Sequence, residues 1–69
     1  MEYSKEELME AKRQIGSLLH KLRETISTLQ SKERPERYKS QITLAERRVK
    51  ALALANELIE KEITQEHTP

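Results

Sequence analysis

Apolar residues in the first half of the chain recur with the alternating three- and four-residue spacing of a coiled-coil helix. One series repeats every seven residues and a second lies between its members: Leu8, Ile15, Leu22 and Leu29, with Ala11, Leu18 and Thr25. Ser4 precedes the pattern as a candidate N-cap, and Glu7 follows it at the spacing of a capping box. The pattern predicts a helix over residues 5–31.

The second half carries a similar pair of seven-residue series. They are Tyr38, Ala45, Leu52 and Ile59, and Ile42, Val49, Asn56 and Ile63. Between the halves, Arg34 precedes Pro35 and so resists helical geometry, whereas Pro35 suits the first position of a new helix. The sequence therefore predicts a turn over 32–35, a helix over 35–64 and a frayed C-terminal tail over 65–69, all within one domain of residues 1–69.

The two halves match when the chain is folded back about residues 33 and 34. Leu8 then lies opposite Ile59, and Ile15 lies opposite Leu52. A connection this short favours antiparallel neighbours. We therefore predict an all-α fold, an antiparallel two-helix hairpin with coiled-coil-like packing.

Further apolar residues lie beside both pairs of series. Leu44, Ala51, Ala55 and Leu58 form a second stripe on the later helix, and Leu19 and Ile26 flank the series of the earlier one. A lone hairpin would expose these side chains, and exposed apolar strips usually mark interfaces. We expect these six residues to form an oligomer interface, most simply that of a homodimer forming a four-helix bundle. Whether both stripes contact one partner is left open.

Asn56 is the polar member of an otherwise apolar series. Such a residue fixes register or oligomer state in some coiled coils, and Asn56 is predicted to set register here. The alternative is an amide that reaches water or a backbone carbonyl. A parallel homodimer of unbroken helices, with Asn56 paired across a two-fold axis, is disfavoured by Pro35.

Charge is unevenly distributed along the 69 residues, 36% of which are charged and 3% aromatic. Residues 12–50 hold eleven Lys or Arg and four Glu, whereas the remaining residues hold two Lys and eight Glu. A hairpin would thus have a basic turn end and an acidic open end, and charge complementarity would favour head-to-tail packing of two copies.

Few residues point to chemistry. There is no cysteine, and His20 and His67 are far apart, so we expect no metal site and no cofactor. Two long helices offer no enclosed pocket, so we expect neither an enzyme nor a small-molecule substrate. The acidic N-terminus and the lack of a long apolar run predict a soluble cytoplasmic protein without membrane association.

The leading functional interpretation is a non-enzymatic helical module that associates with itself or with another helical protein. The alternative is an accessory nucleic-acid-binding protein whose basic turn end contacts phosphates. The residues for that role are Arg34, Arg37, Lys39, Arg47, Arg48 and Lys50. Glu33, Glu36 and Glu46 lie among them and dilute the positive charge.

The segments "SKEELMEAKRQIGSLLHKL" and "AERRVKALALANELIEKEI" resemble short uncharacterised helical-hairpin proteins of Gram-positive bacteria and their mobile elements. That resemblance implies a hairpin and brings no activity with it. Arg34 departs from the pattern, since those proteins tend to carry a capping serine before the proline.

Overall fold

The computed structural model describes residues 3–65, which form two antiparallel helices joined by a short turn. Helix α1 spans Lys5–Gln30, a 3-10 turn spans Pro35–Tyr38, and helix α2 spans Lys39–Gln65. No strand occurs within this range, and the Cα positions extend over 54 × 15 × 15 Å. The predicted all-α hairpin is confirmed. Residues 66–69 of the predicted frayed tail, with His67, lie outside the described residues.

Helix α1 begins with the capping box that its sequence predicts. The Ser4 hydroxyl accepts a hydrogen bond from the Glu7 backbone N–H at 3.1 Å, and the Glu7 carboxylate accepts one from the Ser4 N–H at 3.0 Å. Two of the N–H groups that lack partners at a helix start are thereby satisfied. Glu6 and Glu7 also lie in the first turn, where the helix dipole favours negative charge.

The start of the second helical segment differs from the prediction. Pro35 begins a 3-10 turn, and α-helical geometry begins only at Lys39. Arg34 has a non-helical backbone, as the following proline favours, and makes no side-chain capping hydrogen bond. Its carbonyl accepts a hydrogen bond from the Arg37 N–H at 3.0 Å. Without a capping side chain, a tighter first turn satisfies backbone groups that would otherwise lack partners.

The hydrophobic seam, the stripe along which the helices pack, follows the prediction on α2. Ala45 and Ile63 are buried, and the other members are half-buried: Tyr38, Ile42, Val49, Leu52, Asn56 and Ile59. A seven-residue repeat brings the same side of the helix to the partner every two turns. The predicted side of α2 therefore faces α1.

On α1 the predicted seam is wrong at two positions. Leu18 and Thr25 are exposed, whereas Leu19 is buried with 7% of its surface accessible and Ile26 is half-buried. The seam thus uses the residues four positions after Ile15 and Leu22, rather than three. Burying Leu and Ile removes more apolar surface than burying Leu and Thr, which explains the choice. The Thr25 hydroxyl instead donates to the Lys21 carbonyl at 3.0 Å.

Lys12 provides two polar links between the helices near the open end of the hairpin, the end opposite the turn. Its side chain forms an ion pair with Glu60, with Nζ and Oε1 3.1 Å apart. Its backbone carbonyl accepts a hydrogen bond from Asn56 Nδ2 at 3.3 Å. Both contacts join Lys12 of α1 to neighbouring turns of α2. They are directional, unlike the apolar contacts along the rest of the seam.

Candidate interaction surface

One side of the hairpin carries a stripe of small and apolar side chains, which we call the apolar face and which the exposed Arg48 interrupts on α2. It comprises Ala11 and Leu18 on α1 and Leu44, Ala51, Ala55 and Leu58 on α2. Ala11 and Leu58 line the same groove, which places them on one side of the molecule. Leu18 lies two turns from Ala11, and the α2 members follow at helical spacing.

The large members of the apolar face are open to solvent. The exposed fraction is 50% for Leu18, 46% for Leu44 and 57% for Leu58. Ala51 is exposed and Ala55 is half-buried, so only small side chains project from the middle of the face on α2.

Leu54 is exposed to the same extent as Leu58, at 58%, but is not a member of the apolar face. At 3.6 residues per turn it lies on the side of α2 opposite the seam and about 40° around the helix from Leu58, its neighbour one turn on. Leu54 therefore borders the face, whereas Met9, 53% exposed, lies about 180° around α1 from Leu18 and is available for comparison.

A groove of about 580 Å³ lies between the helices at the open end of the apolar face. Its lining combines apolar side chains with two carboxylates: Tyr3, Glu7, Leu8, Ala11, Leu58, Ile59 and Glu62. Glu7 and Glu62 are both exposed. The groove can accept an apolar side chain, and its two carboxylates favour a partner that carries basic residues around that side chain.

Four of the six predicted interface residues lie on this face: Leu44, Ala51, Ala55 and Leu58. For Leu19 the expected exposure is wrong, because the hairpin seam buries that side chain. Ile26 also packs in the seam and lines a second groove on another side, with Thr43 and Val49. Leu18 belongs to the apolar face although the sequence pattern placed it in the seam. The adjacent leucines at positions 18 and 19 could have indicated this alternative, since Leu18 fits a three-residue step from Ile15 and Leu19 fits a four-residue step.

The environment of Asn56 is polar on one side only. Its Nδ2 reaches the Lys12 carbonyl, whereas its Oδ1 is buried without a hydrogen-bond partner in the described part of the chain. A buried amide with one atom unsatisfied costs stability. The contact is the one that the alternative interpretation described, an amide that reaches a backbone carbonyl. The register-setting role of Asn56 stays a prediction.

The six basic residues predicted to contact phosphates are all exposed. None takes part in the ion pairs found among residues 3–65. They extend from the turn to Lys50, and Arg47 and Lys50 line the second groove beside Glu46. They surround the turn half of the rod without converging on one concave site, and their role with nucleic acid stays a prediction.

The remaining titratable groups form local pairs on the helix surfaces. The side chains of Gln14 and Arg13 donate hydrogen bonds to the Glu10 carboxylate and hold its pKa below the usual range. His20 Nε2 lies 3.3 Å from a carboxylate oxygen of Glu24, one turn along. Across residues 3–65, no group of three or more acidic, histidine or cysteine side chains is placed to hold a metal ion.

Neither described helix is long and apolar enough to cross a membrane. No protein family, curated protein or solved structure matches the chain. The resemblance to Gram-positive helical-hairpin proteins therefore stays a prediction.

Proposed function

We propose that the protein is a helical association module that acts through its apolar face, against a second copy or another helical surface. The observation that carries the proposal is the exposure of Leu18, Leu44 and Leu58 on one side of a two-helix rod. Burying about half of each leucine yields roughly 1 kcal/mol per side chain before the entropy of association is counted. Several such residues aligned on one face favour docking of another helix pair.

The shape of the rod supports the same proposal. Two helices bury only Leu19, Ala45 and Ile63 below a tenth of their surface within residues 3–65. Most seam side chains stay half-exposed, because a third or fourth helix is needed to close the layer. Packing a second helix pair on the apolar face would cover both the face and one flank of the seam.

The proposal is tested by the solution mass of a charged variant. Leu44→Glu combined with Leu58→Glu places two carboxylates on the apolar face, where burial of unpaired charge opposes association. We expect light scattering to give a mass above 8.1 kDa for the native chain and the monomer mass for the variant.

The matched control is Met9→Glu, because Met9 is 53% exposed, close to the 57% of Leu58, and lies about 180° around α1 from Leu18 of the apolar face. The single variants Met9→Glu and Leu58→Glu should keep similar helix content by circular dichroism, and Leu58→Glu should weaken association much more. Equal effects of the two substitutions on mass would contradict a role for the apolar face.

A further inference from the structure

We propose that the occupant of the apolar face is a second copy of this chain, packed head to tail about a two-fold axis at the level of Ala51, with Leu44 of each copy at the acidic groove of the other. This arrangement rests on the proposed function and specifies its partner. It makes α2 pack on α2 and α1 on α1, with the turns at opposite ends of the assembly.

The spacing of the apolar face on α2 fits a two-fold axis at Ala51. Leu44 lies seven residues before Ala51 and Leu58 lies seven after it. Antiparallel packing about Ala51 therefore brings Leu44 of one copy level with Leu58 of the other, twice by symmetry. At 1.5 Å per residue, each contact lies about 10 Å from the axis.

The side chain at the axis suits a close crossing. Ala51 is small and exposed, and small residues at the contact allow the shorter interaxial distances seen between packed helices. Leu58 lines the groove at the open end, so a leucine level with it reaches the mouth of that groove. The groove lies where the second copy would place Leu44.

Charge selects this orientation over the reverse. Glu7 and Glu62 flank the groove at the open end, and the turn end of a second copy carries Arg34, Arg37 and Lys39. With the axis at Ala51, Glu62 is level with Ser40 of the second copy, about one turn from its Arg37. Packing in the same direction would place the two acidic ends together, which is unfavourable.

The side of the rod that carries the apolar face is long enough for a dimer contact. A side of the rod measures 54 × 15 Å between Cα positions, or about 800 Å². Standard interfaces bury about 800 Å² on each partner. One side of the hairpin is thus comparable in extent to one partner's share of a standard interface.

The arrangement is tested with a single introduced thiol, since the sequence has no cysteine. In Ala51→Cys the two thiols of a dimer face each other across the axis, within the range that a disulfide tolerates when small residues let the helices approach. Mild oxidation should convert this variant to a covalent species of twice 8.1 kDa. The control is Glu57→Cys, because Glu57 is exposed on another side of α2, and it should stay monomeric under the same treatment.

A second pair of thiols tests the level of the contact. Leu44→Cys alone should give little covalent dimer, and an equimolar mixture of Leu44→Cys with Leu58→Cys should give at least several-fold more. Separately, Ala51→Glu should reduce the mass of the native oligomer to that of the monomer by placing two carboxylates at the axis.

The outcomes separate the arrangement from the function. One set of results would overturn the head-to-tail arrangement and leave the association module intact. In that case Leu58→Glu dissociates the dimer, Ala51→Cys gives no cross-link, and Leu44→Cys forms a cross-link on its own. A native chain that sediments as a monomer at all concentrations would overturn this inference and the self-association part of the proposed function together.

Discussion

Leu18 and Leu19 are adjacent residues of one type, and α1 buries the second and exposes the first. Their neighbours on the helix surface decide which leucine is buried. Seven residues after Leu19, on the same side of α1, lies Ile26, whereas seven residues after Leu18 lies Thr25. Seven residues before Leu19, on the same side of α1, lies Lys12, whose ammonium group forms an ion pair with Glu60. One favourable pair of apolar residues thus outweighs one lysine, since the lysine keeps its charge in contact with solvent.

Gly16 has room for a larger side chain. A Cβ added there would meet nothing within 4 Å, and α1 is helical on both sides. Gly16→Ala should therefore stabilise the protein by about 1 kcal/mol through the higher helix propensity of alanine. Thermal unfolding should show a rise of roughly 4–8 °C for a domain this small. A fall in the midpoint would indicate that this position contacts a neighbouring chain.

At the scale of the elements, the two helices start in different ways for a reason found in single residues. Ser4 offers an oxygen to the first turn of α1, and Arg34 offers none to the segment that begins at Pro35. The first helix is α-helical from Lys5, and the second passes through a 3-10 turn before becoming α-helical at Lys39. The capping side chain is what separates the two cases.

Replacing Arg34 with serine should give the segment that begins at Pro35 a capping side chain like that of α1. Arg34→Ser places a hydroxyl where it can accept from the N–H groups of the first turn, with Pro35 already at the favoured first position. We expect a gain of about 1 kcal/mol in urea unfolding. Arg34→Ala is the control, because it removes the same charge without adding an acceptor, and equal stability of the two variants would contradict a capping effect.

At the scale of the molecule, two polar contacts of Lys12 link the helices within a largely apolar stripe. Asn56 binds the Lys12 carbonyl while its Oδ1 stays unsatisfied. Asn56→Leu removes the unsatisfied oxygen and adds apolar surface, so the free energy of unfolding should rise by about 1 kcal/mol. The amide spectrum by NMR should show additional peaks as other alignments become populated. A lower urea midpoint would show that the amide stabilises the hairpin outright.

The sequence predicted the parts of this structure that depend on short-range rules. The capping box at Ser4, the break at Pro35 and the α2 seam follow from residue type and period alone. The α1 seam did not, because three- and four-residue steps both lead from Ile15 to a leucine, and only packing against α2 decides between them. The apolar face was predicted on α2 and missed at Leu18 for that same reason.

Both helix ends opposite the turn lie together, since α1 begins and α2 ends at the open end of a rod 54 Å long. Any chain joined to Lys5 or to Gln65 is consequently held at one tip of the rod. A pair of rods reversed about Ala51 would hold attachments at Gln65 about 40 Å apart, facing away from each other. The short turn at Pro35 would then make the assembly a rigid spacer between whatever its two tips carry.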